Sequence, residues 1–449
     1  MKDREILWQM IVHEKAKNNM KLRKMSMKLL MGILLVLLSV SAVTAQDTIT
    51  LNYLVGEDPV NLAMTQALAD AYMAQNPNVT ITIENRPGGT EGDNIVKTRL
   101  ATGDMTDIFF YNAGSLLQAL NPAQTLVDLS DQPFIDNVVE SFISTVSQGE
   151  GIYGVPTGTA MGGGILYNRR VYEELELSVP VTWDEFVANN EVIAEAGIAP
   201  VMATFGDTWT SQLFVLADNY NVAQAVPDFA EQYTAHEATY ADTPAAMAGF
   251  AYLQQGYELG WWQEDYVTTR FEPGLALLAN GEVAHYPMLT FALSGIAASF
   301  PDQVNDIGFF AQPGVSADAN GVTIWMPQAT YIPQTTEGEK LEVALDFLSF
   351  IASVEGADAI TAEVAPQGPY LIEGASLPDD VLPAVQDLAA YIDAGNSYPA
   401  LEFLSPIKGP NLEQICVAVA TGQMTAEEAA ANYDLDVERQ AQQLGLPGW

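Results

Sequence analysis

The chain has 449 residues, with 57 Asp and Glu against 17 Lys and Arg, three His and one Cys, and its formal net charge is −40. This charge excludes nucleic acid as a partner, because a phosphate backbone is bound by clustered Lys and Arg, and it argues against an anionic lipid surface. A chain of this length is too long for one ordinary hydrophobic core, so we expect two domains.

The N-terminus has the composition of a secretory signal. Four basic residues between positions 21 and 28 precede an apolar run at 29–40, and small residues follow it. Since Val43 and Ala45 fit the small-x-small rule, we expect cleavage after Ala45. An uncleaved membrane anchor is the alternative, although residues 29–45 are at the lower limit for a membrane span. Three later methionines are alternative translation starts: Met20, Met25 and Met27.

Cleavage after Ala45 would leave nine Lys and Arg against 54 Asp and Glu, a net charge of −45. A solvated acidic surface, suited to salty water, explains this excess better than cation sites, because no acidic loop has the spacing of metal ligands. Cys416 is the one cysteine, so no disulfide forms within the chain and we expect a buried, inert thiol. No cysteine follows the apolar run, so we expect an exported protein, periplasmic or extracellular, without an N-terminal lipid anchor.

Alternating strand and helix patterns open the exported part. Apolar residues alternate with polar ones from position 49 to 55, which predicts a strand. A helix is expected from Pro59 to the Asn-Pro-Asn stop at 76–78, and another strand at 79–83. This β-α-β order predicts an α/β fold with largely parallel sheets and helices on both faces.

The later part of the chain is predicted to be mainly helical. No repeat and no Ser- or Pro-rich linker separates two domains, which suits a fold whose chain crosses between domains more than once. Helices are expected at 92–101, 184–196, 208–220, 243–259, 272–280, 341–353, 408–421 and 425–443, and strands at 107–110, 307–310 and 322–325.

Residues with catalytic potential are scarce. His236 and His285 are the only histidines after Ala45, and neither lies near a nucleophile elbow or a metal-ligand partner. The Gly-rich stretch at 158–164 lacks the Lys of a phosphate loop, so we expect it to give backbone freedom at a hinge. A pair of carboxylates for glycoside hydrolysis stays open as an alternative. We predict no enzyme, no catalytic residue, no cofactor and no metal.

Four segments carry a family resemblance. Residues 153–186 contain Gly-Val-Pro, Tyr-Asn-Arg and Pro-Val-Thr-Trp-Asp-Glu in that order. Residues 101–110 read ATGDMTDIFF, residues 271–284 read FEPGLALLANGEVA, and residues 307–314 read IGFFAQPG. With these motifs in this order, the chain resembles the extracellular solute-binding proteins of ABC transporters, specifically sugar-binding family 1, which includes the maltose-binding branch.

The resemblance implies a two-lobed periplasmic-binding-protein type II fold. Each lobe is expected to be a mainly parallel sheet flanked by helices, with a three-segment hinge that closes on ligand. After a signal peptide at 1–45, the expected N-terminal lobe is 46–158 with 292–333, the C-terminal lobe is 165–288 with 337–449, and the crossings lie near 156–164, 287–294 and 331–337.

The resemblance also implies a sugar site between the lobes, at loops that leave strand ends. Sugar hydroxyls need carboxylate and amide partners, and the C–H face of a pyranose needs a flat aromatic surface. By position, the expected ligand-binding residues are Glu57, Asp58, Tyr111, Asn112, Trp209, Phe291 and Trp325. Asp207 is expected to be an N-cap, while Trp183 and Tyr167 are expected in the core. Met161 and its neighbours lack the carboxylate of the maltose-binding branch, which argues against a maltodextrin ligand.

The function implied is an exported solute-binding subunit of an ABC importer. It would capture a mono- or oligosaccharide between two lobes and deliver it, as a monomer, to the permease subunits in the membrane. A polyamine or metal cation bound by the same fold is one alternative, and an exported glycosidase is another.

Overall fold

The computed structural model describes residues 48–449 and, before them, residues 8, 10, 13–15, 17, 20, 21 and 23. The chain forms two compact units, Met1–Ile49 and Thr50–Trp449. In the first unit the described residues up to position 23 are helical. The apolar run at 29–40 and the predicted cleavage site after Ala45 lie outside the described residues. Among the residues that are described, no helix is both long and apolar enough to cross a membrane.

The second unit is built on two large sheets. The first sheet has five strands in the spatial order Val79–Arg86, Ile49–Gly56, Ile108–Asn112, Gln328–Tyr331 and Gly154–Pro156. Ile49–Gly56 runs parallel to Ile108–Asn112, whereas Gln328–Tyr331 is antiparallel to both of its neighbours. We call this sheet and the helices packed on it the first lobe.

The second sheet is arranged around the strand Met161–Asn168. That strand pairs antiparallel with Val283–Leu289, Ile307–Ala311 and Val322–Trp325. Ala199–Val201 and Ser397–Pro399 are added at the two edges, both in parallel pairings. This sheet and its helices form the second lobe. The expected α/β class is confirmed, but the pairings of the central strand of the second sheet are antiparallel, because distant segments return antiparallel to it. A separate hairpin joins Ser147–Gln148 to Gly151–Ile152.

Helices cover both sheets and account for most of the later chain. The α-helices are Pro59–Gln75, Gly89–Thr102, Ser115–Gln118, Pro122–Thr125, Glu140–Ile143, Arg169–Glu174, Trp183–Glu195, Leu213–Leu216, Asn219–Ala225, Phe229–Thr234, Pro244–Glu258, Phe271–Asn280, Ala292–Ser299, Gly338–Ile351, Val354–Thr361, Pro383–Asp393, Leu401–Leu404, Leu412–Ala420 and Ala426–Gln443. Short 3₁₀ turns occupy Pro133–Asn137, Ser144–Val146, Thr208–Gln212, Val304–Asp306 and Ala317–Ala319.

The helix expected at 208–220 is broken into a 3₁₀ turn and two short helices. The carbonyl of Phe214 accepts a hydrogen bond from the Gln312 side chain, and the carbonyl of Ala217 accepts one from the Thr323 hydroxyl. Gln312 and Thr323 belong to the second sheet or to the loop that follows one of its strands. Their hydrogen bonds attach this segment to the sheet, at the point where the continuous helix was expected.

Local sequence signals place the helix starting at Trp183 as expected. Thr182 and Glu185 form a complete capping box, each side chain bonding the backbone of the other. Trp183 is buried and stacks on Tyr252 with ring centres 3.6 Å apart, while its indole nitrogen donates to Gln255. Trp183 is therefore a packing residue, as predicted.

Buried side chains form two main clusters. The larger runs from Tyr53 and Phe109 in the first sheet to Tyr286 and Phe309 on one face of the second. The other cluster fills the opposite face of the second sheet and includes Phe310. Because neighbouring residues of a strand face opposite sides, Phe309 and Phe310 belong to different clusters.

Sheet membership corrects the predicted lobe boundaries. The region 292–333 was expected in the first lobe, but its strands Ile307–Ala311 and Val322–Trp325 hydrogen-bond to the second sheet. The region 337–449 was expected in the second lobe, but the helix Gly338–Ile351 packs on the first, where Phe347 contacts Tyr72 with ring centres 5.0 Å apart.

The chain crosses between the two sheets at three places. The first crossing lies between Pro156 and Met161, within the predicted segment 156–164. The second joins Trp325 to Gln328, and the third follows the helix that ends at Thr361 and precedes the helix Pro383–Asp393. The crossing expected near 287–294 is not found there, because the strands Ile307–Ala311 and Val322–Trp325 that follow it belong to the second sheet. The crossing expected near 331–337 is not found there either, because the helix Gly338–Ile351 packs on the first lobe.

Three of the glycines in the predicted hinge segment 158–164 instead allow close packing within a strand. Gly162, Gly163 and Gly164 lie inside the strand Met161–Asn168. A Cβ atom on Gly163 would lie 2.1 Å from the Trp325 ring. Only Gly158, with a φ of 122°, has a backbone conformation that requires glycine within the first crossing.

Candidate ligand-binding cleft

An open cleft with a volume of about 890 Å³ is lined by residues of both lobes. Its first-lobe side is formed by loops after the strands that end at Gly56, Arg86 and Asn112. Its second-lobe side is formed by residues 206–216, by Phe271, Leu289 and Phe291, and by residues around 402–414. The cleft therefore lies where strand-end loops of an α/β fold bind ligands.

Three aromatic side chains form a wall on the second-lobe side, which we call the aromatic wall: Trp209, Phe271 and Phe291. The Trp209 ring lies 5.2 Å from Phe271 and 5.9 Å from Phe291, and the two Phe rings are 5.3 Å apart. Trp209 and Phe291 are half-buried, so each keeps part of its ring open to the cleft. Both were predicted as ligand contacts, whereas Phe271 was not.

Asp207 connects the two loops that carry this wall. It precedes the 3₁₀ turn of Trp209, but its side chain does not cap that turn, contrary to the expected N-cap role. Instead its carboxylate accepts a hydrogen bond of 2.8 Å from the backbone N–H of Phe271, at the start of the helix Phe271–Asn280. Asp207 also lines the cleft itself.

Trp325 contributes a second aromatic surface. It lines the cleft beside Met161, its partner in the strand register, and only 3% of its surface is exposed. Its indole nitrogen donates to the Glu402 carboxylate, which also pairs with Lys408 at 3.4 Å. The ring is held in place by this hydrogen bond, and ligand access to it is limited to its exposed edge.

Polar residues predicted on the first-lobe side also line the cleft. Glu57 is exposed, and Asp58 is half-buried and caps the helix Pro59–Gln75 through one carboxylate oxygen. Asn112 lines the cleft at the end of its strand. Asn61 and Gln328, which were not predicted, hydrogen-bond to each other at 3.1 Å in the same region.

Tyr111 has a different position from the one predicted. It is fully buried and does not line the cleft, whereas Phe110 and Asn112 do, because alternate residues of a strand face opposite sides. Its ring lies under the guanidinium of Arg86, 5.4 Å from the ring centre. Burial and the nearby Asp93 carboxylate raise the pKa of its hydroxyl. The expected stacking surface is therefore replaced at this strand end by the neighbouring Phe110.

Sequence reasoning missed much of the polar lining. Amides and charged groups that line the cleft but were not predicted are Asn61, Arg86, Asp93, Asn94, Lys97, Gln212, Gln328, Gln367, Glu402, Lys408, Glu413, Gln414 and Gln440. The Pro-Gly-Gly turn at 87–89 is a sequence signal that could have directed attention to Arg86, since it marks a strand-to-helix loop like the one at Glu57. The residues near 402–414 had no comparable signal.

The cleft lining supplies groups that can recognise a ligand by stacking and by hydrogen bonding, and His285 is not among them. His285 lies in the second core, where burial lowers its pKa to about 3, and its ring nitrogens bond to Tyr172 and to the Pro200 carbonyl. Among the described residues, no group of three or more His, Cys, Asp or Glu could hold a metal ion. The cleft combines flat apolar rings with carboxylates and amides, which suits a ligand with apolar faces and many hydroxyls.

Two curated proteins are similar to the chain in sequence. The chain is 23% identical over 286 residues to a multiple sugar-binding protein of Streptococcus mutans, and the match covers 62% of this chain and 65% of that protein, just under two thirds of its length. It is also 23% identical over 317 residues to an ABC transporter extracellular-binding protein of Pyrococcus horikoshii, covering 70% and 71% of the two chains.

Solved structures share the two-lobed fold. A chitin oligosaccharide binding protein superposes with a TM-score of 0.77 at 20% identity, covering 88% of this chain and all of that one. RafE in complex with raffinose superposes with a TM-score of 0.71 at 21% identity over the same shares. At these identities the likeness establishes the fold. The model of the bacterial extracellular solute-binding protein family matches residues 59–358, and the chain therefore belongs to that family.

Proposed function

We propose that this protein captures a carbohydrate in the cleft between its lobes and delivers it to the membrane permease of an ABC importer. The proposal is supported by family membership and by relatives whose names or complexes include sugars, among them raffinose and stachyose. Export, closure of the lobes on ligand and a monomeric carrier belong to the same proposal.

The observation that carries the proposal is the aromatic wall. Trp209 and Phe291 are half-buried and inclined to each other by 36°, so they can cover adjacent C–H faces of sugar rings. Burying such faces against aromatic rings stabilises a complex through dispersion and apolar burial. An inorganic ion has no apolar face to bury, so this aromatic surface would not contribute to its binding.

Polar side chains around the wall support the same ligand class. Carboxylates such as Glu57, Asp58 and Glu413 accept hydrogen bonds from hydroxyls, and Asn112 and Gln212 both donate and accept. These groups line one continuous cleft together with the aromatic wall. A ligand that presents many hydroxyls could form hydrogen bonds with several of them at once.

Titration of the purified protein with a sugar panel tests the proposal. Calorimetry and thermal shift should detect one or more mono- or oligosaccharides, and binding should raise the melting temperature by mass action. Spermidine and Ca²⁺ belong in the panel, because six carboxylates line the cleft: Glu57, Asp58, Asp93, Asp207, Glu402 and Glu413. Chromogenic glycosides belong in it as well.

The outcomes separate the alternatives. Saturable heat with a sugar and no release of chromophore supports a carbohydrate carrier. Binding of spermidine or Ca²⁺ with no response to any sugar would contradict the proposal and favour a cation carrier. Steady release of chromophore would establish a glycosidase instead.

A further inference from the structure

Cationic side chains are rare after Ala45, and most of them are paired. Six of the nine Lys and Arg form ion pairs: Arg99 with Glu84, Arg169 with Asp387, Arg170 with Asp306, Lys340 with Asp107, Lys408 with Glu402, and Arg439 with Asp436. Within residues 48–449, the cations without such a pair are Arg86, Lys97 and Arg270. Two of these three, Arg86 and Lys97, line the cleft.

Arg86 is buried with few of its hydrogen bonds made. It is 7% exposed, and one terminal nitrogen of its guanidinium donates to the Pro87 carbonyl at 3.2 Å, while its Nε has no acceptor. Its guanidinium lies over the Tyr111 ring. Burial lowers the pKa of Arg86, and the neighbouring Asp93 carboxylate opposes that shift. A buried guanidinium with unused donors favours an incoming acceptor.

The helix Gly89–Thr102 begins beside this guanidinium. Its N-cap, Gly88, provides no side-chain cap, and Gly88 and Gly89 both line the cleft. The guanidinium packs against the first turn, since a Cβ atom on Gly92 would lie 2.4 Å from one of its nitrogens. The positive end of a helix and a guanidinium therefore share one corner of the cleft. The carboxylates of Glu91 and Asp93 on the same helix balance the charges of Arg86 and Lys97, so attraction for an anion there rests on the unpaired hydrogen-bond donors.

We propose that this corner, formed by Arg86, Gly88, Gly89 and Lys97, is a subsite for an anionic group of the bound carbohydrate, a carboxylate or a sulfate. The inference rests on the proposed function and specifies its ligand class as an acidic sugar. An anion there accepts hydrogen bonds from the Arg86 guanidinium and from backbone N–H groups of the first helical turn, and Lys97 is the second cation of the corner, at its exposed rim.

The corner and the aromatic wall can serve one ligand. Both line the same cleft, and its volume of about 890 Å³ is large enough for more than one sugar ring. A sugar ring stacked on Trp209 and Phe291 leaves the first-lobe corner for a charged substituent or a second, charged ring. A neutral sugar would offer the guanidinium only hydroxyl oxygens, which accept weaker hydrogen bonds from it than a carboxylate or a sulfate does.

The test compares acidic sugars with their neutral counterparts by calorimetry on the full exported chain. The probe pairs are galacturonate and galactose, glucuronate and glucose, digalacturonate and galactobiose, and galactose 6-sulfate and galactose. Lys97→Gln and Arg86→Met each remove one of the two cleft cations that form no ion pair. Arg270→Gln is the matched control, because Arg270 is an exposed, unpaired cation that does not line the cleft.

We expect at least one acidic sugar to bind about tenfold or more tightly than its neutral partner, as charge-assisted hydrogen bonds imply. Lys97→Gln should weaken that binding several-fold and Arg86→Met more strongly, with neutral sugars and the Arg270→Gln control unchanged. The better partner, carboxylate or sulfate, identifies the anion.

Two results would overturn the inference of an anionic subsite, and both can be distinguished from a result that overturns the proposed carrier function. Neutral sugars that bind as tightly as acidic ones would remove the subsite and leave the carrier function standing. An equal loss in Lys97→Gln and Arg270→Gln would show only a general charge effect. If no sugar binds at all, the proposed function fails as well. Because Arg86→Met removes a buried group, its melting curve must show a folded protein, and Lys97→Gln decides the matter if it does not.

Discussion

The carboxylate of Asp207 accepts a 2.8 Å hydrogen bond from the backbone N–H of Phe271. This bond joins a loop in the second lobe to the first turn of a helix 64 residues later in the chain. Since Trp209 lies two residues after Asp207 and packs on Phe271, the same bond fixes two members of the aromatic wall relative to each other.

We predict that Asp207→Ala weakens binding of the tightest sugar of the panel several-fold and destabilises the fold by about 1 kcal/mol, because the helix start loses its acceptor. Asp207→Asn keeps an acceptor oxygen and should lose much less. Calorimetry and thermal melting measure both effects. Equal losses in the two variants would indicate that the charge of Asp207 contacts the ligand directly.

Trp209→Ala should weaken sugar binding by about tenfold or more, which corresponds to about 1.4 kcal/mol, because the largest ring of the aromatic wall is lost. Trp209→Phe should retain more affinity but abolish most of the change in tryptophan fluorescence on binding. The matched control is Trp449→Phe, since Trp449 stacks on His236 at 4.0 Å and does not line the cleft. Full affinity in Trp209→Ala would contradict the role of the wall.

Sequence patterns predicted individual elements well, because helix and strand signals are local. The capping box at Thr182 and Glu185 and the helix near 272–280 are examples, and both are found. The sheet to which a strand belongs was not predictable in the same way. Ile307–Ala311 has the same apolar pattern whichever sheet receives it, and only its hydrogen bonds to Met161–Asn168 decide the matter.

In the candidate site, too, residues beside a recognisable motif were predicted, and residues placed by contacts between distant segments were not. Trp209 and Phe291 were predicted from positions relative to nearby motifs, and both line the cleft. Tyr111 faces away from the cleft, because alternate residues of a strand face opposite sides. Four consecutive residues of its strand are buried, so the sequence pattern does not show which of them face the cleft. Phe271 reaches the cleft through its contact with Trp209, which is 62 residues earlier in the chain, so no local pattern marks it. Arg86 did have a local signal, the Pro-Gly-Gly turn that follows it.

Gly163→Ala tests the close approach of the central strand to Trp325. The added methyl would lie 2.1 Å from a ring that is 3% exposed and bonded to Glu402, so the ring or the strand must shift. We expect a loss of about 1–3 kcal/mol in the free energy of unfolding, measured by urea denaturation. Gly88→Ala is the control for added volume, because its Cβ would meet nothing within 4 Å and its φ is −77°. Similar stability in both variants would contradict the packing role.

Asp218 should make stability depend on pH in a direction opposite to that of a paired surface carboxylate. It is fully buried, and burial raises its pKa to about 7 although Asn221 and Gln312 hydrogen-bond to it. Between about pH 4 and pH 7 the folded protein holds a proton on Asp218 that the unfolded chain has released. Raising the pH through this range therefore favours unfolding, by at most about 1.4 kcal/mol per pH unit, and the stabilising contribution is complete below pH 4.

Asp218→Asn isolates this contribution from the many other carboxylates. Asn221 and Gln312 both donate to the same oxygen of Asp218, and its other oxygen has no partner, so an amide retains both hydrogen bonds and does not titrate. Urea unfolding at pH 4.5, 6 and 8 should show the free energy of the wild type falling relative to that of the variant as the pH rises. The buried hydroxyls of Tyr240 and Tyr252, whose pKa values are raised further by the Asp218 charge, stay protonated throughout this range. A constant difference between the two proteins at all three pH values would place the ionised carboxylate in a better solvated site than its burial implies.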